Sequence, residues 1–187
     1  MVAEEASSTL GPVATTSVEP LDWQRAIADA LVTAEVSVVA YVPDARLRGV
    51  IAALGDSLAV RTLSREEECV GFACGYSAAG KRPAVLMQCS GLGNALNALG
   101  SFAIPYAIGI PLVLSMRGTL GEENPSQVPM GRATVALLAA LGIPSYPVSV
   151  PDRAGPTMTG VLASAYATGT TSALILEPEL GGQREGG

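Results

Sequence analysis

Residues 84–97 read Ala-Val-Leu-Met-Gln-Cys-Ser-Gly-Leu-Gly-Asn-Ala-Leu-Asn. An unbroken apolar run stops at Gln88, passes through a glycine-rich turn, and resumes with apolar residues at helical spacing. That pattern predicts a strand covered on both faces that feeds a helix. We assign the strand to 84–88, the turn to 90–94 and the helix to 95–106, with Pro105 disturbing its end. In an open α/β sheet, ligands sit beyond the carboxyl ends of strands, which makes this turn a place to look for function.

The same alternation continues on either side. Residues 21–34 have helical spacing, with Trp23, Ile27 and Leu31 on one face. The β-branched run 36–42 reads as a buried strand stopped by Pro43. A helix at 46–54 ended by Gly55, a short strand at 59–63 and a helix reaching Ala79 follow. Beyond the turn come a strand at 112–116 and a polar loop at 117–130. A helix at 131–141, a strand at 145–148, a helix at 154–168 and a last strand at 172–176 complete the series. Strands separated by helices imply a three-layer α/β/α domain with a mostly parallel sheet of about six strands. We expect flexible tails at 1–19 and 179–187 around a single domain at 20–178.

Composition narrows the function. Of the 187 residues, 49% are apolar but only 4% aromatic, so Ala, Val, Leu and Ile must fill the core. A net charge of −6 with no basic stripe argues against nucleic acid as a partner. The chain has no histidine, which removes the usual zinc sites, Ser-His-Asp triads and Cys-His dyads together. Cys69, Cys74 and Cys89 form no CxxC pair and read as small buried hydrophobes in a reducing cytosol. The longest apolar stretch, 102–116, is interrupted by Pro105 and Pro111 and is too short to span a bilayer. No leader pattern is evident, so the expected location is cytoplasmic, away from the membrane.

Arg65-Glu66-Glu67-Glu68 opens a helix that continues as Cys69, Val70, Phe72 and Ala73. Ser64 with Glu67 suggests a capping box. Carboxylates in a first turn each favour the helix by about 0.3–1 kcal/mol through its dipole, a purely structural reason for their presence. The turn has a plain reading too: Gly91-Leu92-Gly93-Asn94 suits any tight strand-to-helix connection. A dinucleotide fingerprint would need glycine at position 96, where Leu96 stands.

The combined string changes the balance. Arg-Glu-Glu-Glu-x-x-Gly-x-Ala-x-Gly-Tyr ending at Tyr76, Gly80-Lys81-Arg82-Pro83-Ala84 and Ser90-Gly91-Leu92-Gly93-Asn94 resemble the pyrimidine-binding domain of thiamine-diphosphate enzymes. Asn97, Ile110-Pro111, Arg117-Gly118 and Glu123-x-Pro125-x-Gln127-x-Pro129-x-Gly131 extend the likeness toward sulfopyruvate decarboxylase α-subunits and phosphonopyruvate decarboxylases. The similarity covers residues 21–178. In the family a glutamate stands nine residues before the glycine of a Gly-Tyr pair, which here selects Glu66 over Glu67 by counting back from Gly75.

The resemblance implies thiamine diphosphate as cofactor, with Glu66 as the catalytic residue. In the family this glutamate hydrogen-bonds the pyrimidine ring nitrogen and promotes loss of the thiazolium C2 proton. Burial and a nitrogen partner let a carboxyl group share a proton in this way. Gly91, Gly93 and Asn94 would lie beside the cofactor. Gln88, Ser90 and Asn97 would offer neutral hydrogen bonds to substrate. Arg46, in Pro43-Asp44-Ala45-Arg46, and Arg117 stand at predicted carboxyl ends of strands and match the oxygens of a sulfonate or phosphonate. Each also suits an ordinary salt bridge. The loop 117–130 could close over the site.

The resemblance also implies what a partner must bring. Full-length members carry a second domain with Gly-Asp-Gly and a later asparagine that hold a divalent metal. Gly55-Asp56-Ser57 is the near match here, and it follows a helix. We therefore expect no metal ligands in this chain. A separate β-subunit should hold Mg²⁺ and the diphosphate, in an α₂β₂ or larger assembly. With no histidine, acid–base work on the intermediate would fall to the partner, water or the cofactor amine. The expected reaction is decarboxylation of a small anionic 2-oxo acid, 3-sulfopyruvate or 3-phosphonopyruvate, to the aldehyde. The alternatives are a carboligase of the acyloin or acetolactate type, a non-catalytic relative that only binds a partner, and a flavodoxin-like nucleotide binder.

Overall fold

The computed structural model describes residues 19–181. Six strands form one sheet: β1 Val38–Tyr41, β2 Ala59–Thr62, β3 Pro83–Gln88, β4 Pro111–Ser115, β5 Ser145–Val148 and β6 Ser172–Leu176. Their spatial order is β2-β1-β3-β4-β6-β5, and every pairing is parallel. The helices are α1 Asp22–Thr33, α2 Arg48–Leu54, α3 Glu66–Ala78, α4 Leu92–Ala98, α5 Val128–Ala140 and α6 Ala154–Thr168. The three-layer α/β/α reading and its strand count are thus what the molecule shows.

Alternation along the strands explains the two cores. Val39, Leu86, Val113 and Leu174 face one side, where Trp23, Ile27, Leu31, Val50, Leu54, Met158 and Leu162 from α1, α2 and α6 cover them. Ala40, Val85, Met87, Leu112, Leu114 and Ile175 face the other, under Val70, Ala73, Leu92, Ala95 and Leu138 from α3, α4 and α5. Burying a Leu or Ile of this kind favours folding by about 1.5–3 kcal/mol, and β3, β4 and β6 are the strands buried along nearly their whole length. The edge strands β2 and β5 are largely exposed, and β5 tolerates Pro147 for that reason.

Several boundaries differ from the sequence reading, for local reasons. The predicted turn at 90–94 is tighter: Cys89–Gly91 form a 3₁₀ turn and α4 starts at Leu92, which puts Gly93 and Asn94 inside the helix. The predicted helix at 95–106 is α4 followed by a π-helical turn, Leu99–Ala103. Helix α5 begins at Val128, earlier than expected, because Pro129 fits a first helical turn without a missing hydrogen bond. The cap of α3 is shifted by one residue from the Ser64–Glu67 expectation. Arg65 is the N-cap, and Glu68 Oε2 accepts from the N–H groups of Ser64 and Arg65, each at 3.2 Å.

Packing continues past the predicted end of the domain at 178. Pro178–Leu180 form a 3₁₀ turn and Leu180 is buried against the α1–α6 face. The rest of the predicted tails, 1–18 and 182–187, lies outside the described residues. Among the described residues, no helix is long and apolar enough to cross a membrane.

Candidate active site

The chain reverses its direction of travel across the sheet between β1 and β3, since β2 lies on one side of β1 and β3 on the other. In open parallel sheets the carboxyl ends of the strands beside such a switch point are where ligands bind. Register places the last residues of β3 and β4, Gln88 and Ser115, side by side. Both donate to Asp44, which follows β1: Gln88 Nε2 to Oδ2 at 3.0 Å and Ser115 Oγ to Oδ1 at 2.9 Å. Asp44 Oδ1 also accepts from the Arg46 and Leu47 N–H groups at 3.0 and 3.1 Å. One carboxylate thereby ties three strand ends together. Gln88 Oε1 in turn accepts from Ser90 Oγ at 2.7 Å.

Glu66 approaches the same region from β2. It is the first residue of α3, half-buried, and its Oε2 accepts from Asn94 Nδ2 at 2.9 Å. A Cβ on Gly91 would overlap the Glu66 carboxylate, so only glycine lets the side chain lie there. Its two neighbours are occupied otherwise. Glu67 pairs with Arg65 at 2.9 Å, and Glu68 caps α3. The acidic run therefore sends one carboxylate, from Glu66, onto the glycine turn. That group is an acceptor with an amide donor on Oε2.

A cavity of about 620 Å³ adjoins these strand ends, lined by Asp44, Arg46, Arg117, Thr119, Glu122 and Asn124 among others. Arg46 reaches across the strand ends: its guanidinium donates to the Glu177 carbonyl at 2.7 Å and the Met116 carbonyl at 3.3 Å. Burial pulls its pKa below the ordinary value, with the Asp44 charge opposing. Arg117 meets Glu122 in a two-pronged pair, Nε to Oε2 at 2.9 Å and NH2 to Oε1 at 2.8 Å. The N–H groups of Gly118 and Asn124 complete the Glu122 carboxylate. Arg117 and Gly118 hold that carboxyl well below the usual range. The loop is pinned at its far end too, since a Cβ on Gly131 would overlap the Arg117 carbonyl.

The structure thus brings Glu66, Ser90, Gly91 and Asn94 together at the turn, and Arg46, Gln88 and Arg117 around the neighbouring strand ends. Asn97 does not join them. It is exposed on α4 and accepts from Ser101 Oγ at 3.0 Å. Gly93 is exposed as well, facing the Met130 methyl group. Arg117, expected at an anion, already has a carboxylate of its own chain. Two residues escape the sequence reading. Asp44 stands in a segment that draws attention only through Arg46, and Glu122 carries no signal beyond its place in a polar loop. Cys69 is pushed up to about 12 by burial and the nearby Glu66 and Glu68, so it stays a thiol. No group of three or more His, Cys, Asp or Glu side chains suited to a metal occurs among the described residues.

A six-stranded parallel sheet covered by helices on both faces, with a polar cavity beyond its strand ends, places the chain in the class of three-layer α/β domains. Residues 21–121 match the thiamine pyrophosphate enzyme, N-terminal TPP binding domain. The sulfopyruvate decarboxylase subunit alpha of Methanococcus maripaludis is 39% identical over 72% of this chain and 81% of its own length. The subunit alpha of Methanothermobacter thermautotrophicus is 36% identical over 84% of this chain and 96% of its own. Among solved structures, a 2-oxoglutarate:ferredoxin oxidoreductase from Magnetococcus marinus superposes with a TM-score of 0.65 at 14% identity. It covers 91% of this chain, which spans 31% of that one, and the likeness concerns the fold alone. The chain belongs to the thiamine pyrophosphate enzymes, within the group of sulfopyruvate decarboxylase α-subunits.

Proposed function

We propose that this chain is the α-subunit of a two-component thiamine-diphosphate-dependent decarboxylase. Its substrate is 3-sulfopyruvate or 3-phosphonopyruvate, and its products are the aldehyde and carbon dioxide. The observation that carries the reading is the placement of Glu66, whose carboxylate rests where Gly91 lacks a side chain. The cradle suits a flat, nitrogen-bearing ring with a carboxylate at its edge. When bound, thiamine diphosphate supplies the electron sink that lets a 2-oxo acid lose carbon dioxide.

This chain's residues do the rest. Glu66 would hold or share a proton at the pyrimidine ring nitrogen, and Asn94 steadies the carboxylate through Oε2. Gly91 keeps the backbone close. Arg46 offers an anchored guanidinium to the sulfonate or phosphonate, the second amide hydrogen of Gln88 is a neutral donor beside it, and Ser90, whose proton goes to Gln88, contributes as an acceptor. We assign Gly93, Asn97 and Arg117 supporting places: Gly93 and Asn97 on the exposed face of α4 toward the partner, and Arg117 as an anion contact whose charge Glu122 moderates. A β-subunit holds Mg²⁺ and the diphosphate, and the α-naming of the relatives supports a second component. An α₂β₂ or larger assembly in the cytoplasm is the simplest form.

The test is reconstitution. The chain is co-expressed with a candidate β-subunit, the pair is purified, and carbon dioxide release is followed for a panel of 2-oxo acids with and without an acceptor aldehyde. Release from 3-sulfopyruvate or 3-phosphonopyruvate, unaffected by the aldehyde, supports the proposal. Coupling of the product to the acceptor would point to a carboligase, and no release from any acid would discard the reading.

A further inference from the structure

Asp44 has more to do than join strands. Its Oδ1 accepts from two backbone N–H groups and the Ser115 hydroxyl, and its Oδ2 accepts from Gln88 Nε2. An ionised carboxylate is an acceptor only. The Gln88 amide therefore has one permitted orientation, since turning it would set Oε1 against Oδ2. With Nε2 fixed on Asp44, Oε1 faces Ser90, whose hydroxyl must donate to it across 2.7 Å. A hydroxyl has one proton and two lone pairs. Once its proton points inward to Gln88, Ser90 offers lone pairs alone to anything else.

Ser90 immediately precedes Gly91, the residue that the Glu66 carboxylate overlies. We propose that Asp44 is a positioning residue that sets the hydrogen-bond polarity of Ser90, making its hydroxyl a committed acceptor for an N–H donor of the bound ligand. Polarity passes along Asp44, Gln88 and Ser90 as a one-way chain, and a ligand offering an acceptor at that point is rejected. The wiring stands on this chain's geometry alone; its ligand half rests on the proposed cofactor.

A reciprocal swap tests the wiring. Asp44→Asn keeps the size and the Oδ1 bonds of the side chain but presents an N–H to Gln88. The Gln88 amide then turns, and Ser90 is freed to act as a donor. Gln88→Glu alone sets two carboxylates face to face. In the double variant, Asp44→Asn with Gln88→Glu, the carboxylate moves to position 88. The amide introduced at position 44 donates to it, and it again accepts from Ser90. The swap therefore restores the original direction of donation at Ser90, with the charge one position along.

Both single variants and the double variant are prepared in the co-purified complex, and two quantities are read. In melting, each single variant falls by roughly 3–6 °C and the double variant recovers most of that loss. In titration with thiamine diphosphate and excess Mg²⁺, Asp44→Asn weakens binding about 10-fold, the scale of one lost or reversed hydrogen bond in a site. The double variant regains it, which a merely structural role would not produce. A double variant that melts no higher than the single variants overturns the wiring. Recovery in melting without any change in cofactor affinity across the series overturns the ligand half. A wild-type complex that takes up no thiamine diphosphate overturns the ligand half and the proposed function together, while the melting series still decides the wiring.

Discussion

Asn94 Nδ2 donates to Glu66 Oε2 at 2.9 Å and so joins the first turn of α4 to the first residue of α3. The two helices leave neighbouring regions of the sheet edge, after β3 and β2, and both are packed over the same core face. The contact is therefore set by rigid elements, which hold a side chain more closely than a loop does. The other carboxylate oxygen is left over Gly91, and the neighbouring glutamates are absorbed by Arg65 and by the cap of α3.

Glu66→Gln in the complex should lower the rate of carbon dioxide release by about 10²–10⁴-fold, the usual scale for losing a positioned proton-transfer group. Glu67→Gln should stay within a few-fold of wild type, because that carboxylate serves an exposed ion pair worth about 0–1 kcal/mol. Comparable losses in the two variants would mean that the register is wrong.

Gly91→Ala places a methyl group where the Glu66 carboxylate lies. The side chain must move, and we expect activity to fall close to the level of Glu66→Gln. Local overpacking adds about 1–3 kcal/mol of destabilisation, read from denaturant unfolding.

Arg46→Met removes a cation from the cavity and two bonds to strand-end carbonyls. KM for a sulfonate- or phosphonate-bearing 2-oxo acid should rise by about 10-fold or more, the scale of one lost charge-assisted hydrogen bond. KM for pyruvate, which lacks the second anion, should change little. An equal effect on both acids would assign Arg46 a scaffolding role only.

Glu122 carries a pH dependence of known sign. Its folded-state carboxyl is held below the ordinary range by Arg117 and the Gly118 N–H. A group depressed in this way contributes stability above its unfolded pKa, and that contribution is lost as pH falls. Melting temperature should therefore drop progressively as pH falls below about 5, with the loss continuing into strong acid. Glu122→Gln should melt lower at neutral pH and show a flatter acid limb.

Much of this is legible in the chain itself. The apolar run ending at Gln88 names a central strand because only a strand buried on both faces needs such a run. The count from Gly75 back to Glu66 chooses the glutamate that does reach the glycine turn. Asp44 is not legible, since its partners Gln88 and Ser115 lie 44 and 71 residues away and only sheet order brings them together. The Arg117–Glu122 pair is not legible either, because nothing in a polar loop says that Glu122, five residues on from Arg117, will fold back onto it. Asn97 is grouped with the site by the family resemblance, and only the fold shows it exposed on α4 beside Ser101.

The order of strands and helices followed from periodicity and from glycine and proline positions, because those are local demands of backbone geometry and solvent exclusion. Which polar side chains meet at the strand ends was decided only by the tertiary fold. Parallel register and crossover set neighbours that are far apart along the chain, and a hydrogen bond needs its donor and acceptor within about 3 Å. The cradle over Gly91 exists only once α3 lies against α4, and the knot at Asp44 only once β1, β3 and β4 stand side by side.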